Sequence, residues 1–328
     1  MGAVLPFLVP LVLVIIGFIL LTRGADWLVD GGVALAQRWG VSTLVIGLTV
    51  LAWGTSLPEL LVSALGAAEG HPGIALGNVL GSNVANIGLV MGASALVLAE
   101  VLGQPLAGRE ILWLHLSIAL VYLLLLDGVL SRLDGGLLLG AFALHNLHLW
   151  KTAQASGAPP AGHRSSHPFG HVCLGAVAIA AGAQCAVWGA ADLARLLEIP
   201  DRVIGLTLLA LGTSLPEVAA GVGAARKGYA EISMGNVVGS NVFNTLAALG
   251  VAALIHPIGG DALASGEQAD ATMAKTLALD LPTVAAFGIL LTILPWLIPH
   301  SKQVRRGRPR ALLLLAAYAS YVIFVLVD

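Results

Sequence analysis

The sequence predicts an all-α polytopic membrane protein, with ten transmembrane helices arranged as two inverted five-helix repeats. Three observations support this fold class. The chain of 328 residues is 58% hydrophobic and only 10% charged, with a mean hydropathy of +0.92, and a water-soluble protein of this length needs more surface charge. Apolar stretches long enough to cross a bilayer recur along the chain, and its two halves repeat one another.

The predicted spans are bounded by glycine, proline or charge clusters. They lie near residues 5–35, 43–67, 73–99, 110–127, 134–151, 171–196, 202–225, 231–255, 276–297 and 311–327. The N-terminal run has no basic start and no clear cleavage site, so we predict a retained helix rather than a signal peptide. The fourth and fifth spans are separated only by the short turn SRLDGG. A Pro/Gly/Ser-rich linker, residues 152–170, divides the first repeat (1–151) from the second (171–328).

The internal repeat is the strongest feature of the sequence. With a constant offset of 158, Gly47–Asn86 aligns without gaps to Gly205–Asn244, and about half of the forty positions are identical. Five spans per half is an odd number, so the second copy must enter the membrane from the opposite side. Transporters use inverted repeats of this kind to build a binding site near the membrane midplane.

Lysine and arginine predict the orientation of the chain. One set of alternate connections collects Arg38, Arg109, Lys151, Arg164, Arg226, Lys227, Lys302, Arg305, Arg306, Arg308 and Arg310. The other set collects only Arg132, Arg195, Arg202 and Lys275. The richer side is expected in the cytoplasm, which places both termini outside and the linker inside. The net charge of −2 is too small to indicate a nucleic-acid partner, and the sequence indicates no obligatory protein partner.

The hexapeptide GTSLPE occurs twice, at Gly54–Glu59 and at Gly212–Glu217. Pro58 has no amide hydrogen and cannot bond to the carbonyl of Gly54, so we expect the second helix to be interrupted there. A carboxylate in mid-membrane costs at least ~2.5 kcal/mol and is rarely incidental. One proline-kinked helix with a hydroxyl is typical of packing, but two copies with embedded glutamates favour a binding site.

The side chains of both motifs supply hard oxygen donors. They are Thr55, Ser56, Glu59, Thr213, Ser214 and Glu217. Downstream, the segments GNVLGSNVAN and GNVVGSNVFN place Ser82 four residues before Asn86 and Ser240 four residues before Asn244, each pair on one helix face. Carboxylate, hydroxyl and amide oxygens together are the ligands that Na⁺ and Ca²⁺ prefer. Whether the neighbouring amides bind ions or only bond to broken backbone stays open for Asn78, Asn83, Asn236 and Asn241.

At these residues the sequence resembles the cation/Ca²⁺ exchanger superfamily, specifically the prokaryotic sodium/calcium exchangers. The segments 47–88 and 205–246 look like the α-repeats of that family. The resemblance implies a Na⁺/Ca²⁺ antiporter of a prokaryotic inner membrane that needs no cofactor. It also implies that the second, third, seventh and eighth helices surround the ions, while the long first and sixth helices slide past this core.

The resemblance also implies roles for individual residues. Glu59 and Glu217 match the family's central carboxylates, which calcium and sodium share. Its hydroxyl ligands are matched by Thr55, Ser56, Thr213 and Ser214. The outer sodium positions are matched by Ser82 and Ser240 with the backbone carbonyls of Ala52 and Ala210. Asn86 matches a polar residue at the centre.

Asn244 departs from part of the family. Several archaeal exchangers and the potassium-dependent branch resemble one another in having aspartate there, whereas animal exchangers are similar to this chain. The asparagine weakens the case for potassium dependence. The short linker also has no room for the calcium-sensing domains of animal relatives.

Three alternatives are compatible with parts of the sequence. A proton-coupled exchanger on the same scaffold would use Glu59 or Glu217 to carry H⁺. An intramembrane enzyme is a distant alternative, since no histidine, lysine or cysteine lies within the GTSLPE and GSNV motifs. An ungated channel is disfavoured because paired glutamates at one depth suggest a tight site.

The remaining polar residues have simpler interpretations. We expect Asp26 and Asp30 to be interfacial or helix-packing groups, because their repeat partners are Gln184 and Trp188. Five histidines near the linker are interpreted as loop residues, with a pH or metal sensor as the less favoured alternative. They are His145, His148, His163, His167 and His171. Two cysteines are predicted to be small buried hydrophobic residues, Cys173 and Cys185.

Overall fold

The structure, a computed structural model, describes residues 5–103, 108–153, 166–199, 212–259, 273–297 and 307–327. Within these ranges the chain forms ten helices of at least 12 residues, and the predicted seventh span, near 202–225, is described only from residue 212. They are α1 (Leu5–Trp39), α2 (Thr43–Ala68), α3 (Pro72–Val97), α4 (Gly108–Leu124), α5 (Arg132–Ala153), α6 (Pro168–Leu196), α7 (Leu215–Arg226), α8 (Ala230–Ile255), α9 (273–297) and α10 (Gly307–Val327). Seven of them are long and apolar enough to cross a membrane, namely α1, α2, α3, α6, α8, α9 and α10.

One small sheet interrupts the otherwise helical architecture of the described residues. Strand β1 (Val129–Leu130) pairs antiparallel with β2 (Ile258–Gly259) and joins the start of α5 to the end of α8. The predicted SRLDGG turn mostly belongs to α5. Ser131 caps this helix, since its backbone N–H donates to Asp134 Oδ2 at 2.8 Å and its Oγ faces the Asp134 amide at 3.3 Å.

Helices α1 and α6 pack against each other antiparallel through glycine. A Cβ added at Gly17 would lie 2.7 Å from the carbonyl oxygen of Gly182, and one added at Gly31 would lie 2.8 Å from the amide of Val172. Glycines later in α1 contact residues earlier in α6, as antiparallel packing requires. No larger residue fits this seam, because the backbones approach too closely for a side chain.

Helices α3 and α8 lie at the centre of the molecule. In their most apolar windows 72% and 83% of the residues are buried, against 22% for α1 and for α10. Helix α2 packs parallel to α8, where a Cβ on Gly47 would lie 2.6 Å from the carbonyl oxygen of Ile232 and one on Gly239 would strike that of Leu48. This contact sets the first GTSLPE segment beside the GSNVFN segment of α8.

The expected interruption at Pro58 was wrong. Helix α2 is α-helical from Ala52 to Ala68 with Pro58 inside it, and its irregular part is the π-helical turn Gly47–Leu51. The second copy differs, since Thr213 and Ser214 form a turn and α7 begins at Leu215. Proline is favourable in a first turn, where its missing N–H is not needed.

Two further predictions also need correction. His145 and His148 lie within α5 rather than in a loop, and His145 is buried against the ring of Trp113. His171 lies in the first turn of α6, His167 directly precedes that helix, and His163 is outside the described residues. The cysteines are not buried in the protein, since Cys173 is exposed and Cys185 is half-buried on the outward part of α6.

Candidate ion-binding site

The predicted ligands converge where α2, α3, α7 and α8 pack together. Nearly all of them are buried, namely Ala52, Thr55, Ser56, Glu59, Ser82, Asn86, Ser214, Glu217, Ser240 and Asn244. Thr213 is half-buried in the turn before α7. Ala210 lies outside the described residues, so the structure does not test its carbonyl.

The two carboxylates share one polar interior. Glu59 and Glu217 are both completely buried and close enough to interact electrostatically. Ser56 Oγ donates to Glu217 Oε1 at 2.9 Å, whereas Glu217 Oε2 and both oxygens of Glu59 have no hydrogen-bond partner. No basic side chain in the described ranges pairs with either group. Two buried carboxylates without a counter-charge are costly, and a bound cation would offset that cost.

Thr55 connects α2 to α8. Its Oγ1 lies 3.2 Å from the Leu51 carbonyl oxygen and 3.3 Å from that of Ala52. The same atom lies 3.3 Å from Asn236 Oδ1 and 3.5 Å from Ser240 Oγ. Thr55 has one hydroxyl hydrogen and can donate to only one of the three carbonyl oxygens, whereas the Ser240 hydroxyl can donate to Thr55.

Asn78 fixes the backbone of the first carboxylate residue. Its Nδ2 donates to the carbonyl oxygen of Glu59 and to Ser63 Oγ, both at 3.1 Å. This contact answers the open question for Asn78 in favour of backbone bonding. Ser63 is not among the predicted site residues, although its position one turn after Glu59 on the same helix face is a usable signal.

The asparagines of α3 and α8 follow two different patterns. Asn86 Nδ2 donates to Asn241 Oδ1 at 3.3 Å, and Asn83 Nδ2 donates to Thr245 Oγ1 at 2.8 Å. Asn244 has no partner for either amide atom. Asn86 begins the π-helical turn Asn86–Val90, and Asn244 lies in the corresponding turn Phe243–Ala248. Such turns occur frequently at functional sites.

Several buried oxygens around this interior lack a hydrogen-bond donor. They include Glu59 Oε1 and Oε2, Glu217 Oε2, Ser214 Oγ, Asn83 Oδ1, Asn86 Oδ1 and Asn244 Oδ1. Across the described segments no three His, Cys, Asp or Glu side chains come together as a metal cluster, so a cation here would depend on hydroxyl, amide and carbonyl oxygens as well. That donor set suits Na⁺ and Ca²⁺ rather than a transition metal.

Comparison with known proteins places this geometry in a family. The family model described as sodium/calcium exchanger protein matches residues 9–151 and 167–327. CaxA of Alkalimonas amylolytica is 39% identical over 285 residues, which cover 83% of this chain and 89% of CaxA. The sodium/calcium exchanger MaX1 of Methanosarcina acetivorans is 30% identical over 291 residues, which cover 75% of this chain and 83% of MaX1.

Solved structures show the same fold. The structure of the sodium/calcium exchanger from Methanococcus jannaschii matches with a TM-score of 0.78 and 30% sequence identity, over 97% of this chain and 98% of that one. A structure of the exchanger NCX_Mj soaked with Na⁺ and Ca²⁺ matches with a TM-score of 0.76. The chain therefore belongs to the sodium/calcium exchanger family of polytopic membrane proteins.

Proposed function

We propose that this protein is a secondary antiporter that exchanges Na⁺ for Ca²⁺ across a membrane. The observation that carries the proposal is the burial of Glu59 and Glu217 together, without a basic partner in the described structure. Two carboxylates neutralise one Ca²⁺ or two Na⁺. The ions therefore compete for the same oxygens, and release of one kind on binding of the other is the basis of exchange.

We also propose that the exchange is electrogenic. The two carboxylates balance the charge of two Na⁺. A further Na⁺ would bind to the outer oxygens of Ser82 and Ser240 and to the backbone carbonyls of Ala52 and Ala210. If three Na⁺ exchange for one Ca²⁺, as the family resemblance implies, one net charge crosses in each cycle. A membrane potential then contributes about 2.3 kcal/mol per 100 mV to the driving force.

The proposed topology has ten transmembrane helices in two inverted repeats, residues 1–151 and 171–328. The antiparallel contact of α1 with α6 supports it, because the offset of 158 makes these helices repeat partners. The hydrogen bond from Thr43 to Glu231 gives further support, since it joins the starts of α2 and α8 on one face. The lysine and arginine distribution favours the cytoplasm for that face and for the linker 152–170, with both termini outside. The family resemblance implies a prokaryotic inner membrane.

Alternating access would proceed by movement of α1 and α6 against the core of α2, α3, α7 and α8. The close seam between α1 and α6 supports movement of these two helices as one unit. The core helices carry the ligands and pack against one another, so the site itself would stay fixed while access to it changes.

The direct test is sodium-gradient-dependent ⁴⁵Ca²⁺ uptake in proteoliposomes. Glu59→Gln and Glu217→Gln should each lower uptake by more than about 100-fold. The substitution removes the charge of a buried ligand, and the loss of one partner of a buried ion pair costs about 3 kcal/mol or more. Glu69→Gln is the matched control, since Glu69 ends the same helix and is exposed. Uptake that survives both site substitutions would contradict the site assignment.

Two additional measurements separate the competing coupling modes. Imposing a potential with a potassium gradient and an ionophore should change the initial rate if net charge moves. A pH gradient without sodium should give no uptake in a sodium-coupled exchanger. Uptake driven by the pH gradient alone would favour the proton-coupled alternative on the same carboxylates.

A further inference from the structure

The amide network of α3 and α8 is unequal, although both helices carry the same GSNV-x-N motif. The offset of 158 relates Asn83 to Asn241 and Asn86 to Asn244. A symmetric site would show the same hydrogen bond in both halves. Only Asn86 and Asn241 bond to each other, and their mirror pair does not.

Asn241 determines which end of the Asn86 amide is free. Asn241 Oδ1 accepts the hydrogen bond from Asn86 Nδ2 at 3.3 Å, and both side chains are buried. The Asn86 carbonyl oxygen therefore remains buried and without a donor, available to a cation. An amide rotated by half a turn would instead present two N–H donors, which repel a cation.

The mirror hydrogen bond, from Asn244 Nδ2 to Asn83 Oδ1, is absent, and a single residue difference accounts for it. Thr245 Oγ1 accepts from Asn83 Nδ2 at 2.8 Å and so fixes the orientation of the Asn83 amide. In that orientation Asn83 Oδ1 accepts from no donor, and Asn244 has no partner at Nδ2 or Oδ1. In the first half the counterpart of Thr245 is Ile87, which has no hydroxyl to engage Asn241.

We infer that Asn241 is a positioning residue, which turns the carbonyl oxygen of Asn86 toward the transported cation. Thr245 withholds the same support from Asn244 by engaging Asn83. Asn86 then supplies the preorganised amide ligand of the site, and Asn244 binds the cation less well because its amide must be ordered on binding. This inference rests on the proposed cation transport and specifies which half provides the amide oxygen.

The first test measures KM and kcat for Ca²⁺ in proteoliposomes, at saturating sodium gradient. Asn241→Ala and Asn86→Ala should each raise KM about tenfold, with a smaller change in kcat, because the lost orientation acts on binding. Asn244→Ala should raise KM by no more than about threefold, and Asn83→Ala is the matched control for an amide that bonds to a hydroxyl.

The second test moves the asymmetry to the other half. The double variant Ile87→Thr, Thr245→Ile gives Asn241 a hydroxyl partner and frees Asn83 to bond Asn244. In this background Asn244→Ala should become the more damaging of the two amide truncations. Calcium-dependent shifts in melting temperature provide the same comparison for any variant that folds but does not transport.

The outcomes distinguish the inference from the proposed function. Equal KM values for Asn86→Ala and Asn244→Ala in an exchanger that transports normally would overturn the inference alone. An Asn241→Ala variant whose KM equals that of the Asn83→Ala control would also overturn the inference alone. A wild-type protein without sodium-dependent calcium uptake and without calcium-dependent stabilisation would overturn the proposed function, and the inference with it.

Discussion

The two GTSLPE segments have the same six residues and different local structures. The first lies inside the unbroken helix α2, whereas the second spans a turn and the beginning of α7. Ser56 of the first copy donates to Glu217 of the second, yet Ser214 and Glu59 have no partner in the reverse direction. Identical motifs therefore do not form identical halves of a site.

The differences originate in residues around the motifs. Ser63 accepts a hydrogen bond from Asn78, but its counterpart is Gly221, and Asn236 Nδ2 is left without a partner. A duplicated site can thus keep its ligands equal while its supports diverge. The divergence assigns different tasks to equivalent side chains.

The largest effect on this comparison is expected at the close contact between α2 and α8. In Gly239→Ala the new methyl group would strike the carbonyl oxygen of Leu48, and we expect a loss of about 3 kcal/mol in stability together with loss of transport. Thermal unfolding in detergent measures the effect. Gly136→Ala on α5 is the control, because Gly136 is exposed and has no atom within 4 Å of an added Cβ. Equal melting temperatures for the two variants would mean that α2 and α8 are not in close contact.

A smaller effect should distinguish the two serines. Ser56→Ala removes the hydrogen bond from Ser56 Oγ to Glu217. We expect this loss to lower the stability of the ion-free protein by about 1 kcal/mol, the usual contribution of one hydrogen bond. Ser214→Ala removes a hydroxyl without a partner and should change the ion-free melting temperature much less. Melting in buffer without sodium or calcium is the measurement. Equal losses would show that Ser214 also bonds a carboxylate.

The smallest effect is expected at the ion pairs between α1 and the end of α7. Lys227 Nζ lies 2.7 Å from Asp30 Oδ1 and 3.4 Å from Asp26 Oδ1, which confirms the helix-packing interpretation of both aspartates. The groups are partly exposed, so Lys227→Ala should cost less than about 1 kcal/mol. Its effect should appear mainly in the transport rate, because the contact joins α1, which we propose to move, to the core.

A charge exchange provides the control for this contact. Lys227→Asp combined with Asp30→Lys should restore the rate that either single variant loses. The repeat counterpart of Lys227 is Glu69, and the counterparts of Asp26 and Asp30 are Gln184 and Trp188. The repeat therefore offers no basic side chain for an equivalent ion pair in the other half. A double variant no faster than the single variants would show that Lys227 acts through something other than charge.

Much of the fold and the polar content of the candidate site could be predicted from the sequence. Hydropathy predicted the helices, because a chain in lipid must satisfy its backbone hydrogen bonds internally. The offset of 158 identified Glu59 and Glu217 as repeat partners. These features depend on residue type and order alone. The small β1–β2 pair escaped prediction because two-residue strands have no periodic pattern.

The connections between distant side chains could not be predicted. Nothing in the sequence pairs Lys227 with Asp30, or Asn86 with Asn241, because such pairs depend on the angle and depth at which helices pack. The predicted interruption at Pro58 was wrong for a related reason. A proline removes one hydrogen bond, but packing on both sides can keep a membrane helix continuous.

The seam between α1 and α6 has a mechanical consequence for the whole molecule. Gly17 and Gly31 leave no room for a side chain between the two backbones, so in the proposed alternating access both helices would move as one rigid body. A movement of that body that opens the site to one aqueous compartment would close it to the other. No separate gate would then be needed to prevent a leak.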